Sequence, residues 1–247
     1  MCYNAGAMDH LFEGAISTKA VLQSGKRKVS RVLIDKEKSS RDISFILTLA
    51  REKEVEIERV KREEIDALTE GNTHGGIICY AEERSYSSLE DFKGRSFLAL
   101  LEGIEDPFNF GYCLRSLKAF GCEGILVSER NWYSAAGAIA RSSAGASEWL
   151  DVVQVSDWNQ ALKELRKEYK VVSANRRNAI PLVEADLKEP LIIAIGGEKR
   201  GLSRAVEENT DVNVYIPYAG DFRNALNASA AAAVFGYEVM RQKGCLK

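Results

Sequence analysis

The sequence predicts an α/β protein in two parts: a small N-terminal α/β domain and a larger C-terminal domain built on a parallel sheet. Three observations carry this reading. Two runs, Phe97 to Leu101 and Leu191 to Ile195, are apolar at every position, as parallel strands covered on both faces must be. Around them, strand-like and amphipathic segments alternate, the order expected of βαβ units. A polar stretch containing Ser85, Ser87 and Ser88 interrupts that alternation and reads as a linker. The expected boundaries are therefore 1–82 for the first domain, 83–95 for the linker and 96–247 for the second.

In order, the chain begins with a loose start, and Ala15 to Gln23 reads as a short helix ended by Ser24-Gly25. Val29 to Ile34 is strand-like, and Ser39-Ser40 caps a helix whose Ile43, Ile46, Leu47 and Ala50 share one face. Val55, Ile57 and Val60 alternate as a strand, Ile65 and Leu68 belong to a brief helix, and Ile77 to Ala81 is another strand. Beyond the linker, Phe97 to Leu101 leads into Asp106-Pro107, a capping residue followed by a proline suited to a first helical turn. Phe110, Cys113, Leu114 and Leu117 then follow at i, i+3, i+4 and i+7. Gly124 to Val127 completes the βαβ unit. Ala135 to Arg141 suggests an Ala-rich helix, Val152 to Val155 a strand, Trp158 to Tyr169 a helix and Val171 to Ser173 a strand. Leu191 to Ile195 runs into the glycine turn Gly196 to Ser203. Val212, Val214 and Ile216 alternate up to Pro217, and a long, small-sided helix covers about Asn224 to Gln242.

Composition narrows the function classes. The 247 residues are 45% hydrophobic and 28% charged, ordinary for a globular protein, and the longest apolar run falls far short of a membrane span. Five scattered cysteines without C-x-x-C spacing, and two histidines, argue against a disulfide frame and against a metal site. They point to a reducing compartment, with the cytoplasm as the default. The net charge of −2 hides segregation: residues 19–41 hold eight basic and two acidic side chains, and 42–90 hold six basic and twelve acidic. The cluster Lys26-Arg27-Lys28 with Arg31 could contact phosphates, although a solvated turn would look the same.

Two turns carry residues too polar or too small for plain packing. In the first, Asn109, Gly111 and Arg115 open a helix, and the four-residue spacing sets Arg115 over a position with no side chain beneath it. A substrate could fill that gap; a capped helix start with a solvated Arg fits the spacing as well. The second turn, Gly196 to Ser203, superficially resembles a phosphate loop. Leu202 stands where the lysine should be, and Glu198 would bring negative charge into an anion cradle. No G-x-G-x-x-G follows either apolar strand, so a dinucleotide site is equally poor. What remains is a glycine turn that lets backbone approach a ligand, with one carboxylate at its tip.

Taken together, these segments resemble the SpoU (TrmH) family of S-adenosylmethionine-dependent RNA ribose 2′-O-methyltransferases, in the SPOUT class. Three motifs match in order: Asn109-Phe110-Gly111-Tyr112-Cys113-Leu114-Arg115 against N-x-G-x-x-x-R, Gly196-Gly197-Glu198-Lys199-Arg200-Gly201 against G-x-E-x-x-G with Tyr215-Ile216-Pro217 following, and Leu226-Asn227-Ala228-Ser229-Ala230-Ala231 against S-L-N-V-S-x-A. The N-terminal region is similar to the ribosomal-protein-like RNA-binding domain fused in this family, with Gly75 replacing Gln in its His-Gln-Gly turn. The resemblance implies a C-terminal trefoil knot, a homodimer with the C-terminal helix at or near its interface, and ribosomal RNA as substrate. Transfer RNA, or a knotted RNA-binding protein without chemistry, is the alternative; methyl transfer to a base nitrogen is disfavoured by the arginine of the first motif. By position, Gly196, Gly197, Ile216 and Leu226 would hold S-adenosylmethionine. Asn109, Arg115, Glu198, Asn227 and Ser229 would form the active site. Arg115, with Arg27, Lys28 and Arg31, would touch RNA. One serine of the third motif is replaced by Ala225, and Asp221-Phe222-Arg223-Asn224 before it carries an extra residue; Ser229 or Asn224 could take over the hydroxyl's role.

Overall fold

A computed structural model of the protein describes residues 9–71, 73–129, 135–188, 190–221 and 224–244. They form two compact units. One comprises the described residues of Met1–Ser85 and Trp132–Trp149, and the other those of Tyr86–Asn131 and Leu150–Lys247.

The first unit contains strands β1 (His10–Glu13), β2 (Val29–Asp35), β3 (Glu56–Val60) and β4 (Ile77–Ala81) in the order β1-β4-β2-β3. β4 is antiparallel to β1 and β2, while β2 and β3 run parallel. Helices α1 (Gly14–Ser24), α2 (Arg41–Glu52) and α3 (Arg62–Asp66) connect them. α1 ends on Gly25 at φ +67°, a left-handed cap that glycine adopts without strain. The Ser40 hydroxyl accepts the Ile43 N–H at the start of α2. Phe12, Val21, Ile34, Ile46 and Ile77 are the centre of the core. The turn at His74 is held from inside: its buried ring accepts the Gly76 N–H at Nδ1 and sets Nε2 3.0 Å from Asp66. Asn72, which begins that turn in sequence, lies outside the described residues.

Two helices of this unit, α5 (Ala136–Ser142) and α6 (Ala146–Trp149), come from within the 96–247 span that sequence assigns to the second domain. Their packing explains the placement. A Cβ on Gly137 would sit 2.3 Å from the Leu11 carbonyl oxygen, and one on Gly145 2.6 Å from the Ala20 Cβ, so both glycines allow close approach. Ala136 and Ala140 join the core. Arg27 forms a buried ion pair with Glu148, Nε to Oε2 at 2.9 Å, and Arg84 donates to the Ser147 carbonyl at 2.7 Å. β1 itself falls where sequence suggests a loose start; at four residues it is too short for alternation to announce it.

The second unit is a seven-stranded sheet of β5 (Phe97–Glu102), β6 (Gly124–Ser128), β7 (Asp151–Val155), β8 (Lys170–Ala174), β9 (Ala179–Pro181), β10 (Leu191–Gly196) and β11 (Val212–Tyr215). The order is β7-β6-β5-β10-β8-β11-β9, parallel at every pairing. β5 and β10 pair from Phe97–Leu191 to Glu102–Gly196, and Leu98, Leu100 and Ile192 are fully buried, each worth roughly 1.5–3 kcal/mol. Helix α4 (Pro107–Ala119) starts on Asp106, whose carboxylate accepts the Phe108 N–H. α7 (Trp158–Leu165) is one turn shorter than sequence suggests, because Tyr169 turns inward and its hydroxyl donates to the Phe92 carbonyl. α8 (Arg204–Glu208) starts on Ser203. α9 (Ala228–Gln242) begins later than about Asn224, because Asn227 is extended and caps it.

Candidate active site

Every element of the site described here belongs to the second unit. β5 and β10 end side by side, and the chain leaving each is locked to the other. The Gly197 N–H donates to the Glu102 carbonyl at 2.7 Å, and the Glu102 carboxylate accepts the Ser203 N–H at 2.6 Å. The turn closes on itself through Gly201 N–H to the Gly197 carbonyl at 2.9 Å. A Cβ on Gly196 would lie 2.3 Å from the Gly201 carbonyl carbon, and one on Gly197 1.9 Å from the Gly103 oxygen, both backbone atoms. The tight turn therefore excludes side chains at both positions and carries Glu198 exposed at its tip. Lys199 spans to Glu105 at 2.7 Å, joining the turn to the approach of α4.

At this carboxyl edge, where ligands bind in parallel α/β sheets, lies a cavity of about 630 Å³. That volume falls within the ordinary range for small-molecule sites. Ile195, Ile216, Leu226 and Phe235 give it apolar surface; Gly196, Gly197, Glu198 and Asn227 line it from the glycine turn and the start of α9; and Ala174, Asn175, Arg176 and Tyr218 are also among its lining residues. The fit to an adenosine-bearing sulfonium rests on this lining: apolar walls, exposed backbone at glycine and, among the described residues, one carboxylate and one guanidinium.

The four residues expected to hold the cofactor, Gly196, Gly197, Ile216 and Leu226, thus share one cavity with Glu198 and Asn227. Asn109, Arg115 and Ser229 do not line it. Asn109 is half-buried in the first turn of α4, and Arg115 is exposed two turns on. Glu198 is near enough to this helix to act on Cys113: burial foremost, with the Glu198 charge adding, pushes that thiol up to about 12. Ser229 donates to the Asn227 side-chain oxygen at 3.1 Å, and the same oxygen accepts the Ala230 N–H at 2.8 Å. The oxygen of Asn227 is therefore committed to starting α9, leaving its amide N–H pair for a ligand. Ala225 lines the cavity, and Phe222 and Arg223 lie outside the described residues.

Two wall residues, Arg176 and Tyr218, escape sequence reading. The signal available was position: Arg176 lies just past the carboxyl end of β8, the edge where ligands are expected.

Of the basic residues expected to meet RNA in the N-terminal unit, Arg27 is corrected by the structure. Its side chain is 5% exposed, committed to Glu148 and the Glu82 carbonyl, and its guanidinium lies 4.9 Å over the Phe12 ring. A guanidinium this buried, with all three of its nitrogens donating within the unit, presents no exposed face to a phosphate. Lys28 is exposed beside Glu82 at 3.3 Å, and Arg31 stacks 4.5 Å over Tyr80 with Glu58 at 3.7 Å. Among the described residues no cluster of His, Cys, Asp or Glu could hold a metal ion, and no helix is long and apolar enough to cross a membrane.

Comparison with known proteins places this geometry. Residues 96–237 match the SpoU rRNA Methylase family, and residues 12–87 match the family described as RNA 2′-O ribose methyltransferase substrate binding. A protein of Staphylococcus saprophyticus named as a TrmH family tRNA/rRNA methyltransferase is 30% identical over 238 residues, 93% of this chain and 94% of that protein. Among solved structures, an RNA 2′-O ribose methyltransferase superposes with a TM-score of 0.74 at 26% identity, covering 95% of this chain and 88% of the other. AviRb of Streptomyces viridochromogenes, in complex with the cofactor AdoMet, superposes with a TM-score of 0.80 at 24% identity, covering 97% and 92%.

Proposed function

Because the chain belongs to the SpoU rRNA methylase family, we propose that it methylates a ribose 2′-hydroxyl of ribosomal RNA, with S-adenosylmethionine in the cavity beside the glycine turn. The observation that carries this reading is the convergence of Gly196, Gly197, Glu198, Ile216, Leu226 and Asn227 on one cavity at the sheet's carboxyl edge. The cofactor, when bound, supplies an electrophilic methyl group on a sulfonium. This chain's residues must then align the ribose, accommodate its proton and stabilise charge growing on the 2′-oxygen.

Arg115 is assigned the last task. A guanidinium stays protonated, so it serves as a donor to the substrate phosphate and the developing alkoxide rather than as a base. Glu198 and the Asn227 amide position Asn109 and the ribose, and the proton leaves through phosphate or water. Ser229 acts on the site through Asn227, whose oxygen it shares with the helix start. The replacement by Ala225 removes one hydroxyl without removing that arrangement. The N-terminal unit binds the RNA, with Lys28 and Arg31 among its phosphate contacts. The protein works in the reducing cytoplasm.

The same reading includes a homodimer and the knotted C-terminal trace. Support for the first comes from exposed apolar side chains on the packed pair α4 and α9: Phe108 (42% exposed), Tyr112 (45%), Val234 (38%) and Tyr237 (47%). Support for the second comes from the strand order, in which β10 lies between β5 and β8 while α9 returns against α4.

The test is incorporation of labelled methyl groups into ribosomal and transfer RNA from cells lacking this gene, followed by mapping of 2′-O-methyl positions. The expected product is an alkali-resistant linkage in ribosomal RNA. Label in transfer RNA would move the substrate, label on a base would refute the chemistry, and absent calorimetric binding of S-adenosylmethionine would indicate a binder without catalysis.

A further inference from the structure

The loop after β8 is built with more care than a solvated connection needs. Asn175 ties it down three ways: its N–H donates to the Val214 carbonyl at 3.1 Å, its side-chain oxygen accepts the Arg177 N–H at 3.1 Å and its amide donates to Glu207 at 3.1 Å. Arg176, between these anchors, lines the cavity. Its guanidinium lies 4.7 Å over the Tyr218 ring, a stacked arrangement that suits Arg more than Lys. The Tyr218 hydroxyl in turn accepts the Leu226 N–H at 2.9 Å. The stack thus connects the β8 loop to the segment entering α9.

Charge gives this arrangement its meaning. Among the described residues lining the cavity, Arg176 is the one cation and Glu198 the one anion, and among the described residues no carboxylate pairs with Arg176. S-adenosylmethionine carries cationic groups and a single anionic group, its α-carboxylate. Stacking on Tyr218 fixes the plane of the guanidinium while leaving its edge N–H groups able to donate, and a planar fork matches a carboxylate two-for-two.

We propose that Arg176, held flat on Tyr218, binds the α-carboxylate of S-adenosylmethionine and thereby distinguishes it from adenosyl compounds lacking that group. The proposal rests on the cofactor assignment above and adds a residue-level recognition to it. Arg176 contacts the cofactor, and Tyr218 is a positioning residue acting through it.

The experiment is calorimetric titration of the full chain with S-adenosylmethionine and with its decarboxylated analogue, which retains the adenosine and the sulfonium. Wild-type protein is expected to bind the intact cofactor about ten- to hundredfold more tightly, the size of a charge-assisted hydrogen-bonded pair. Arg176→Ala should abolish that preference by weakening the intact cofactor alone, Arg176→Lys should restore part of it, and Arg177→Ala should change neither affinity. If Arg176→Ala keeps the preference, or weakens both ligands equally, carboxylate recognition by Arg176 is wrong. If wild-type protein binds neither ligand, the cofactor assignment itself falls, and this inference with it.

Discussion

Removing Glu148 while leaving Arg27 in place should cost the N-terminal unit a large share of its stability, and the reason is burial. The two side chains are 1% and 5% exposed, with Nε–Oε2 at 2.9 Å. Nothing else described matches the Arg27 charge: its other contacts are the Glu82 carbonyl and the Phe12 ring. Stripping one partner from a buried pair costs about 3–5 kcal/mol, a large share of the 5–15 kcal/mol that holds an ordinary domain together. Glu148→Leu and Arg27→Met should each show this loss in urea titration followed by circular dichroism, with the two units fitted as separate transitions. The double variant should recover nearly all of it, because an apolar pair of similar volume replaces a charge pair at little cost. RNA binding supplies the second arm. If Arg27 neutralised a phosphate, replacing it would reduce the salt slope by about 0.7–0.9, whereas a buried Arg27 predicts that the folded double variant keeps the wild-type slope. Stability of Glu148→Leu within about 1 kcal/mol of wild type, or a reduced slope in the double variant, would refute the structural role.

Arg115→Lys should lower turnover at least about tenfold with calorimetric cofactor affinity unchanged, since Lys cannot supply the planar fork; near-normal turnover would remove Arg115 from its assigned role. Gly196→Ala and Gly197→Ala each push a methyl group into backbone atoms 2.3 and 1.9 Å away, so cofactor affinity should fall sharply in both, along with about 1–3 kcal/mol or more of stability. The thiols of Cys79, Cys113 and Cys122 are each raised, chiefly by burial, from 9.0 to about 12. Above pH 9 the unfolded chain gives up these protons while the folded one keeps them, so stability should decline from pH 9 toward 12, by about 1.4 kcal/mol per pH unit for each thiol. Denaturant titrations between pH 8 and 10.5 check the sign, and slow alkylation of these cysteines in folded protein at pH 8.5 checks the burial.

The central strands are legible because every position is apolar, the signature of burial on both faces. β1 and β9 are not: each is an edge strand only three or four residues long, too short for alternation to stand out. The residues of the glycine turn, Ile216, Leu226 and Asn227 could be picked out by ordered motifs even though they come from separate segments. Asn227 shows what motifs leave out, since its side-chain oxygen is spent on capping α9. Arg27 shows the reverse error. A basic cluster reads as surface, and what buries this one residue is a carboxylate 121 positions away, a distance that local pattern cannot bridge. Arg176 and Tyr218 stayed hidden for the same reason, their significance arising only where β8 and the approach to α9 meet.

The excursion of α5 and α6 into the N-terminal unit has a consequence for how the protein is made. The chain passes between the two units three times, at residues 85–86, 131–132 and 149–150. Residues 1–85 leave the ribosome first, yet Ala136, Ala140 and Glu148 arrive only after β5, α4 and β6 have been synthesised. Until then the growing chain displays an unfilled apolar seam along β1 and α1, with the Arg27 charge waiting beside it. A chain stalled before residue 148 therefore offers chaperones and proteases an unfinished first unit, however completely the strands of its sheet have been translated.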